Sequence, residues 1–402
     1  MLEFFQNAII YVGSFMLVLG VVVFVHEFGH FRVGRWCGIA VKSFSIGLGG
    51  EWFGWTDKHG TRWKVSKIPL GGFVSWIDDT DGSSTLPASE ENQALAKEEA
   101  RRRGHFRAMP IWKRAAATAA GPAANFVFSI FALGLLAFVV GGDRTDLQAI
   151  PARLAFVAEQ SAAAEAGLQQ GDVIVSANGQ RIANFSELQA IVAASPLTPL
   201  AIEVERGGAL LAMSATPQRA SANAGRSVRE GQGLLGVSGP LILDAERNLV
   251  RYNPFEAIGI GARDTWAIVA QTFGYIGAIF VGRESGDQIA GPLGIINVSG
   301  QVAASALQSP DAGLGEKLQV LALSLLRLAA FLSVAVGIVN ILPIPILDGG
   351  HLVFYGIEAL RGGRPLPPTA QEWAYRAGFA VMASLFLFAT WNDITRLFPG
   401  TQ

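Results

Sequence analysis

Four long stretches of the chain lack Asp, Glu, Lys and Arg and consist mainly of apolar residues. A helix of about 20 apolar residues crosses the hydrocarbon core of a bilayer, so the first three stretches are long enough and the fourth nearly so. The pattern therefore predicts four membrane-spanning helices, at residues 4–25, 115–142, 328–347 and 377–392.

Two further uncharged stretches, at residues 265–282 and 288–310, contain more Gly, Ser and other polar residues than these four. Such a composition makes a poorer membrane span. We predict that both stretches form extramembrane or interfacial helices.

The composition agrees with a membrane protein, because 50% of the residues are hydrophobic and only 16% are charged. A soluble domain usually carries about a quarter charged residues, so an entirely soluble protein is disfavoured. The net charge of −1 gives no reason to expect a nucleic-acid partner. Cys37 is the only cysteine, which rules out an internal disulfide and a cysteine zinc cluster.

The basic residues predict how the chain is oriented in the membrane. Residues 31–114 hold 14 of the 31 Lys and Arg residues and nine acidic residues, whereas residues 143–258 hold nine Arg, no Lys and twelve acidic residues. Loops rich in Lys and Arg remain in the cytoplasm. We therefore expect the first loop in the cytoplasm, the second loop on the far side, and both termini outside.

A candidate metal site follows the first apolar stretch, where the chain reads His26-Glu27-Phe28-Gly29-His30. Residues four apart share one face of a helix, so both imidazoles can bind one metal ion. In zinc hydrolases with this H-E-x-x-H spacing, the Glu is the general base. The alternative is a chance match, or a histidine pair satisfied by nearby carbonyls. A charge in a span costs about 2.5–3.5 kcal/mol, which disfavours a chance cluster of ionisable groups.

A third protein ligand would complete a catalytic zinc site and leave the fourth position for water. Asp348 is the best candidate, because it closes the third apolar stretch just after Pro343 and Pro345. Two prolines so close together break a helix, and irregular backbone at membrane depth is tolerated where it lines a watery cavity. His59 and His105 lie in polar sequence and are most simply surface residues.

The second loop contains signs of a small α+β domain. A buried strand near residues 173–175 precedes the turn Asn178-Gly179, and Asn184 begins a helix at residues 185–194. This pattern resembles the PDZ domains of bacterial periplasmic proteins, which bind peptide ends by strand addition. The groove would lie near residues 154–157, and a domain that acts only as a steric plug is the alternative. Residues 220–232 are predicted to form a flexible loop.

The first loop contains β-forming residues around a Pro-Leu-Gly-Gly turn at residues 63–76, and charged residues at 78–103 that indicate a solvated loop with a helix. The β element is either an ordinary surface hairpin or a strand edge that holds a substrate in the extended form. A protease needs an extended substrate, because a helical peptide bond is shielded by its own hydrogen bonds.

Taken together, these motifs resemble the RseP-like branch of the site-2 protease family of intramembrane zinc metalloproteases. The matching segments are HEFGH at 26–30, KIPLGGFV at 67–74, AGPAANFVFSIF at 120–131, GPLGI at 291–295 and NILPIPILDGGH at 340–351. The best-known members carry two tandem PDZ domains, whereas the interval before Asn253 has room for one.

The resemblance implies roles for individual residues. His26, His30 and Asp348 would bind one Zn²⁺ per chain, Glu27 would be catalytic, and Asn340 would position the substrate or stabilise the transition state. It also implies that the β element dips into the membrane near the zinc. Its substrate-binding residues would be Leu70, Gly71, Gly72 and Phe73.

The resemblance further implies the substrate and the location. Substrates would be single-span membrane proteins such as anti-sigma factors, first trimmed by an upstream site-1-type protease. The protein would lie in the bacterial inner membrane, with a PDZ domain on the periplasmic side that binds peptide ends and an active site towards the cytoplasm.

The predicted fold is an α-helical polytopic membrane protein with an inserted α+β PDZ domain and a membrane-associated β-hairpin. The predicted segments are the first span with HExxH (1–31), a cytoplasmic loop with the β element (32–114), the second span (115–142), the PDZ domain (146–218), an outer linker with interfacial helices (219–325), the third span (326–351), a cytoplasmic loop (352–376) and the fourth span (377–395).

Two other functional classes remain open at this point. One is a non-catalytic membrane scaffold that uses a PDZ domain, although Glu27 and three potential ligands in the membrane argue against it. The other is a zinc protease of the prenyl-protein-processing type, which usually completes HExxH with a Glu from a later helix and lacks a PDZ insertion.

Overall fold

A computed structural model describes residues 2–77, 98–220, 231–286, 289–308 and 313–397, without the side chains of residues 2–7, 69 and 70. The predicted loops at 78–103 and 220–232 therefore lie largely outside the described residues. The chain forms two compact units. The first unit comprises Met1–Val139 and Asn253–Gln402, and the second comprises Val140–Tyr252.

Eight helices of ten or more residues are present in the described part of the chain. They are α1 (Leu2–Trp36), α2 (Ile111–Val140), α3 (Phe185–Ala194), α4 (Pro254–Phe280), α5 (Pro292–Leu307), α6 (Leu314–Ile341), α7 (Asp348–Leu360) and α8 (Pro368–Leu397). Four contain segments long and apolar enough to cross a membrane, namely Ala8–Trp36, Ile111–Val140, Leu314–Ile341 and Pro368–Arg396. The predicted four spans are thus confirmed, although the third and fourth helices begin earlier in the chain than predicted.

The two ambiguous stretches are helical, as α4 and α5, and neither is a candidate span in the part that the structure describes. Both nevertheless pack against candidate spans. The Thr265 hydroxyl of α4 donates a hydrogen bond to Ser129 of α2 at 3.2 Å. In α5, a Cβ at Gly300 would lie 2.0 Å from the Tyr11 ring of α1. Contact with the spans was not predicted from the composition of these stretches.

The GPLGI segment begins α5 and is held by a buried carboxylate near the end of α8. The backbone N–H groups of Gly291 and Gly294 donate hydrogen bonds to Asp393 at 3.0 and 2.9 Å. Asp393 is only 1% exposed. The first N–H groups of a helix lack intrahelical partners and favour negative charge, so this carboxylate fastens α5 to α8.

The third apolar stretch breaks at its prolines, as predicted. Helix α6 ends at Ile341, and α7 begins at Asp348 after an extended Leu347. Two glycines allow the new helix to pack against the broken segment, because a Cβ at Gly349 would lie 2.3 Å from the Ile341 carbonyl oxygen and a Cβ at Gly350 would lie 2.3 Å from that of Ile344. Asp348 therefore begins a separate helix.

The prediction of a hairpin at residues 63–76 around the Pro-Leu-Gly-Gly turn was wrong. These residues belong to one bent strand, β2 (Arg62–Trp76), which pairs twice with the preceding antiparallel strand β1 (Val41–Thr56), and the turn that joins the two strands lies at residues 57–61. We keep the name β element for these two strands. Phe44 pairs with Trp63 on one side and with Val74 on the other. The first half of β1 therefore lies between the two halves of β2. Among the described residues, 72–75 consequently form an edge of this sheet.

The second unit is built around an antiparallel sheet in the order β6-β5-β7-β8. The strands of this unit are β3 (Gly142–Asp143), β4 (Phe156–Val157), β5 (Val173–Ala177), β6 (Gln180–Arg181), β7 (Leu200–Arg206), β8 (Ala209–Ala215), β9 (Gln218–Arg219), β10 (Gly233–Leu234), β11 (Val237–Ser238) and β12 (Leu249–Val250). Asn178 and Gly179 both have positive φ, as a two-residue hairpin turn requires. Asn184 caps α3 by accepting a hydrogen bond from the Glu187 N–H. The assignment of this unit as a PDZ domain stays a prediction.

Candidate metal centre

Three potential metal ligands meet where α1 and α7 approach each other. His26 and His30 lie one turn apart on α1, and their Nε2 atoms are 3.2 Å apart. The Asp348 Oδ2 atom lies 3.2 Å from His26 Nε2 and 3.4 Å from His30 Nε2. Residues more than 300 positions apart in the sequence therefore present one donor atom each to a common point.

These donors fit a zinc ion. Ligand atoms bound tetrahedrally to zinc at about 2.0–2.1 Å lie about 3.3–3.4 Å from one another, which matches the observed spacing. Asp348 Oδ2 is also buried without a hydrogen-bond partner among the described residues. A buried carboxylate oxygen is costly to leave unpaired, and a cation between the three groups would satisfy it. Two imidazoles and one carboxylate leave a fourth position open, as catalytic zinc sites do.

Helix α2 contacts the other ring nitrogen of both histidines. His30 Nδ1 donates a hydrogen bond to the Ala117 carbonyl oxygen at 2.9 Å. His26 Nδ1 lies 3.1 Å from Nδ2 of Asn125, whose side chain is fully buried. Such contacts fix the orientation of an imidazole and determine which nitrogen is free to bind a metal.

Glycines make the close contact between α1 and α2 possible. A Cβ at Gly121 would lie 2.2 Å from His30 Nε2 and 2.9 Å from His26 Cε1. A Cβ at Gly29 would lie 2.3 Å from the Ala120 carbonyl oxygen. Any side chain at either position would have to push the two helices apart.

The metal centre opens into a cavity of about 1170 Å³. Glu27, Phe73 and Asn340 line this cavity together with the three candidate ligands. The Asn340 side-chain amide donates to the Val336 carbonyl of its own helix at 3.0 Å, so its oxygen is not used by that bond.

The edge of the β element reaches the side of the centre on which Glu27 lies. A Cβ at Gly72 would lie 3.1 Å from Glu27 Cγ and 2.9 Å from Val23 Cγ1, so the backbone here packs against α1. Gly71 precedes it with a φ of 77°. Gly72 and Phe73 thus lie beside Glu27, whereas the side chain of Leu70 is outside the described residues.

Asp57 fastens the β element to the end of α1. Its carboxylate accepts hydrogen bonds from the Arg35 guanidinium at 2.6 Å, from the Trp63 indole and from the backbone N–H groups of His59 and Thr61. Burial alone would raise the pKa of Asp57, but these donors lower the pKa to about 2. The carboxylate is therefore charged at neutral pH and holds the turn of the sheet against the helix.

An ion pair in the cavity wall fastens α7 to α2. Arg114 donates two hydrogen bonds to the carboxylate of Glu358, at 2.6 and 3.1 Å, and both side chains are nearly buried. The Arg114 guanidinium also stacks over the Tyr355 ring at 5.0 Å. Because Asp348 is the first residue of α7, this pair helps to hold the third candidate ligand in place.

These supporting residues were not predicted from the sequence. Asn125 and Gly121 lie in the quoted segment at 120–131 and received no role there. A buried amide in an otherwise apolar span is costly without a partner, which was the available signal for Asn125. No pattern along the chain indicates that Arg114 and Glu358 pair, because they are 244 positions apart.

Replacing Gly121 by Ala should disrupt the metal centre, because the new methyl group would displace both histidines. A displacement of about 1 Å at an active site can cost about 100-fold in rate. We expect zinc content and proteolysis to fall by at least about tenfold. Gly20→Ala is the matched control, since a Cβ at Gly20 on α1 meets nothing within 4 Å. Normal zinc content in Gly121→Ala would contradict the described helix contact.

The chain is similar to known zinc metalloproteases over nearly its whole length. The model of Peptidase family M50 matches residues 14–385. A proposed zinc metalloprotease of Rhizobium meliloti is 42% identical over 389 residues, which cover 96% of this chain and 97% of that protein. Metalloprotease MmpA of Caulobacter vibrioides is 36% identical over 391 residues, 95% of each chain. The regulator of sigma-E protease RseP of Salmonella typhimurium is 31% identical over 477 aligned positions, covering 96% of this chain and 98% of that protein. This chain therefore belongs to peptidase family M50, the site-2 protease family, and is a zinc metalloprotease.

Proposed function

We propose that this protein is an intramembrane endopeptidase that hydrolyses peptide bonds in or near the transmembrane segment of single-span membrane proteins. The observation that carries the proposal is the convergence of three donor atoms on one point beside Glu27, at the end of a candidate membrane span. His26, His30 and Asp348 would hold one zinc ion per chain. Bound there, zinc would polarise the scissile carbonyl and activate a water molecule.

The protein's own side chains would move the proton and place the substrate. Glu27 would take a proton from the attacking water and deliver it to the nitrogen of the leaving amine. Asn340 lies in the same cavity wall and would orient the scissile peptide through its side-chain oxygen. Its hydrogen bond to Val336 would keep that oxygen directed away from its own helix.

The edge at residues 72–75 would bind the substrate as an added strand. In the part of the chain that the structure describes, residues 72–75 pair with β1 along one side only, and Phe73 and Val74 face the cavity that contains Glu27. An extended peptide bound along such an edge forms main-chain hydrogen bonds with it. This binding would offset the loss of the substrate's helical hydrogen bonds.

The distribution of Lys and Arg supports an active site towards the cytoplasm in the inner membrane, with the second unit on the periplasmic side. We further propose that this unit is a PDZ domain that binds peptide ends and restrains untrimmed substrates. Cleavage would then follow a first cut by a site-1-type protease. The likeness to a regulator of sigma-E protease supports an anti-sigma factor as the substrate.

The family membership and the retained Glu27 favour an enzyme over a non-catalytic scaffold. Completion of the donor set by Asp348, instead of a Glu from a later helix, favours the site-2 type over the prenyl-protein-processing type. Glu27 would thus be the base, and the three other residues would bind the metal. Each group can therefore be tested by its own variant.

Replacing Glu27 by Gln should lower proteolysis by about 10²–10⁴-fold and leave zinc bound, because a base is lost but no ligand is. Asp348→Ala should lose both zinc and activity. Purified variants would be assayed for zinc content and for cleavage of a single-span substrate, with the exposed His59→Ala as the control. Full zinc content in Asp348→Ala would remove that residue from the ligand set, and full turnover in Glu27→Gln would remove Glu27 from the mechanism.

Truncating Phe73 to Ala should raise KM by about tenfold or more, since burial of an aromatic side chain contributes about 1.5–3 kcal/mol. Zinc content should not change. The matched control is Phe53→Ala, because Phe53 is 63% exposed and does not line the cavity. Equal KM values for the two variants would argue against substrate binding at this edge.

Removal of the second unit should test whether it restrains substrates. β3 pairs with β12, and the Arg144 N–H donates to the Asn248 carbonyl at 2.9 Å, so a short turn can replace residues 145–247. We expect the shortened enzyme to cleave a pre-trimmed substrate at the normal rate and a full-length substrate several-fold faster. Glu27→Gln in the shortened chain controls for other proteases. Equal slowing of both substrates, with normal zinc content, would indicate recruitment instead.

A further inference from the structure

Asn125 has an unsatisfied side-chain oxygen next to a candidate zinc ligand. Its side chain is fully buried on α2, and its Nδ2 atom lies 3.1 Å from His26 Nδ1. Its Oδ1 atom is buried and has no hydrogen-bond partner among the described residues. Because no second partner fixes which amide atom is the oxygen, the orientation of this amide has to be judged from its contact with His26.

The proton positions on the two facing groups decide which amide atom must face His26 Nδ1. In the orientation described, Nδ2–H donates to a bare Nδ1, so a neutral His26 would carry its proton on Nε2. Nε2 is the atom that points to Asp348 and His30, and a protonated Nε2 cannot bind a metal. Rotating the amide by 180° exchanges its oxygen and nitrogen with little change in heavy-atom positions. The oxygen then accepts the Nδ1 proton, and Nε2 presents a lone pair.

We propose that Asn125 is a positioning residue whose side-chain oxygen accepts a hydrogen bond from His26 Nδ1 and so keeps Nε2 available for zinc. The proposal rests on the proposed zinc site. A neighbouring contact has the same chemistry, because the Ala117 carbonyl oxygen accepts from His30 Nδ1 at 2.9 Å. Helix α2 would therefore supply an oxygen partner to each histidine ligand.

The surroundings hold Asn125 in place. The Ser333 hydroxyl of α6 donates to the Asn125 backbone carbonyl at 3.0 Å. A Cβ at Gly337, also on α6, would lie 3.4 Å from Asn125 Cβ. Asn125 on α2 is thus held in contact with both α1 and α6. Ser333 also offers a control, since it contacts the Asn125 backbone and leaves the amide group intact.

The test compares zinc affinities by chelator competition on the full-length protein in detergent. Loss of a hydrogen-bond partner to a zinc-bound histidine typically weakens metal binding about 10–100-fold. We expect a loss of that size in Asn125→Leu, which keeps the volume without the acceptor. Asn125→Asp restores an acceptor and should bind zinc nearly as tightly as the unchanged protein, and Ser333→Ala should also be close to normal. A purely structural role would instead leave Asn125→Asp as weak as Asn125→Leu.

A second measurement needs no variant at Asn125. In ¹⁵N-histidine-labelled protein, the two histidine signals that shift on zinc loading should both show a protonated Nδ1 and a metal-bound Nε2. Coordination through Nδ1, or an unprotonated Nδ1 on either ligand, would overturn the proposal, as would normal zinc affinity in Asn125→Leu.

The variant His26→Ala distinguishes an error in the proposed zinc site from an error in the role of Asn125. If that variant keeps its zinc, the proposed zinc site is wrong; if it loses zinc while Asn125→Leu keeps it, only the role of Asn125 is wrong.

Discussion

The close contact between α1 and α2 is the constraint on which the rest of the site depends. Gly29 and Gly121 remove the side chains that would separate the two helices, and this brings the backbone of α2 to the imidazoles of α1. The Ala117 carbonyl can reach His30 Nδ1 only because the helices are this close. Lipid provides little hydrophobic driving force between apolar helices, so small residues and polar contacts have to hold them together.

Asp348 reaches this helix pair because a proline-rich segment breaks the third span. A continuous helix would carry Asp348 past the histidines, whereas the turn after Ile341 begins a new helix at Asp348 itself. The Arg114–Glu358 pair then holds that helix against α2. Both ends of α7 are therefore fixed, one at the donor set and the other at the cavity wall.

The sequence predicts those parts of the molecule whose determinants lie close together in the chain. The four apolar stretches, the break at Pro343 and Pro345, and the cap at Asn184 each depend on a few adjacent residues, and all three features are present. H-E-x-x-H also predicted that His26 and His30 share a helix face.

The remaining features depend on contacts between distant segments. The β-forming residues and the Pro-Leu-Gly-Gly turn predicted a local hairpin at residues 63–76. This was wrong, because the partner strand β1 precedes this segment in the chain and Phe44 pairs with both halves of β2. Composition predicted extramembrane or interfacial helices for α4 and α5, but it could not show that Thr265 and Gly300 contact other helices. Asn125 was missed for the same reason, because its partner is 99 positions away.

The two helices that form the centre have matching periodicities. His26 and His30 are four residues apart on α1, and Ala117, Gly121 and Asn125 repeat at the same interval on α2. Residues four apart lie on one face of a helix, so each set forms a stripe. Ala117 contacts His30 and Asn125 contacts His26, which shows that the two stripes run in opposite directions. H-E-x-x-H is thus one half of an antiparallel helix pair, and the small and polar residues of α2 are the other half. Asp348 can complete a metal site only where the two histidines of α1 lie opposite their partners on α2.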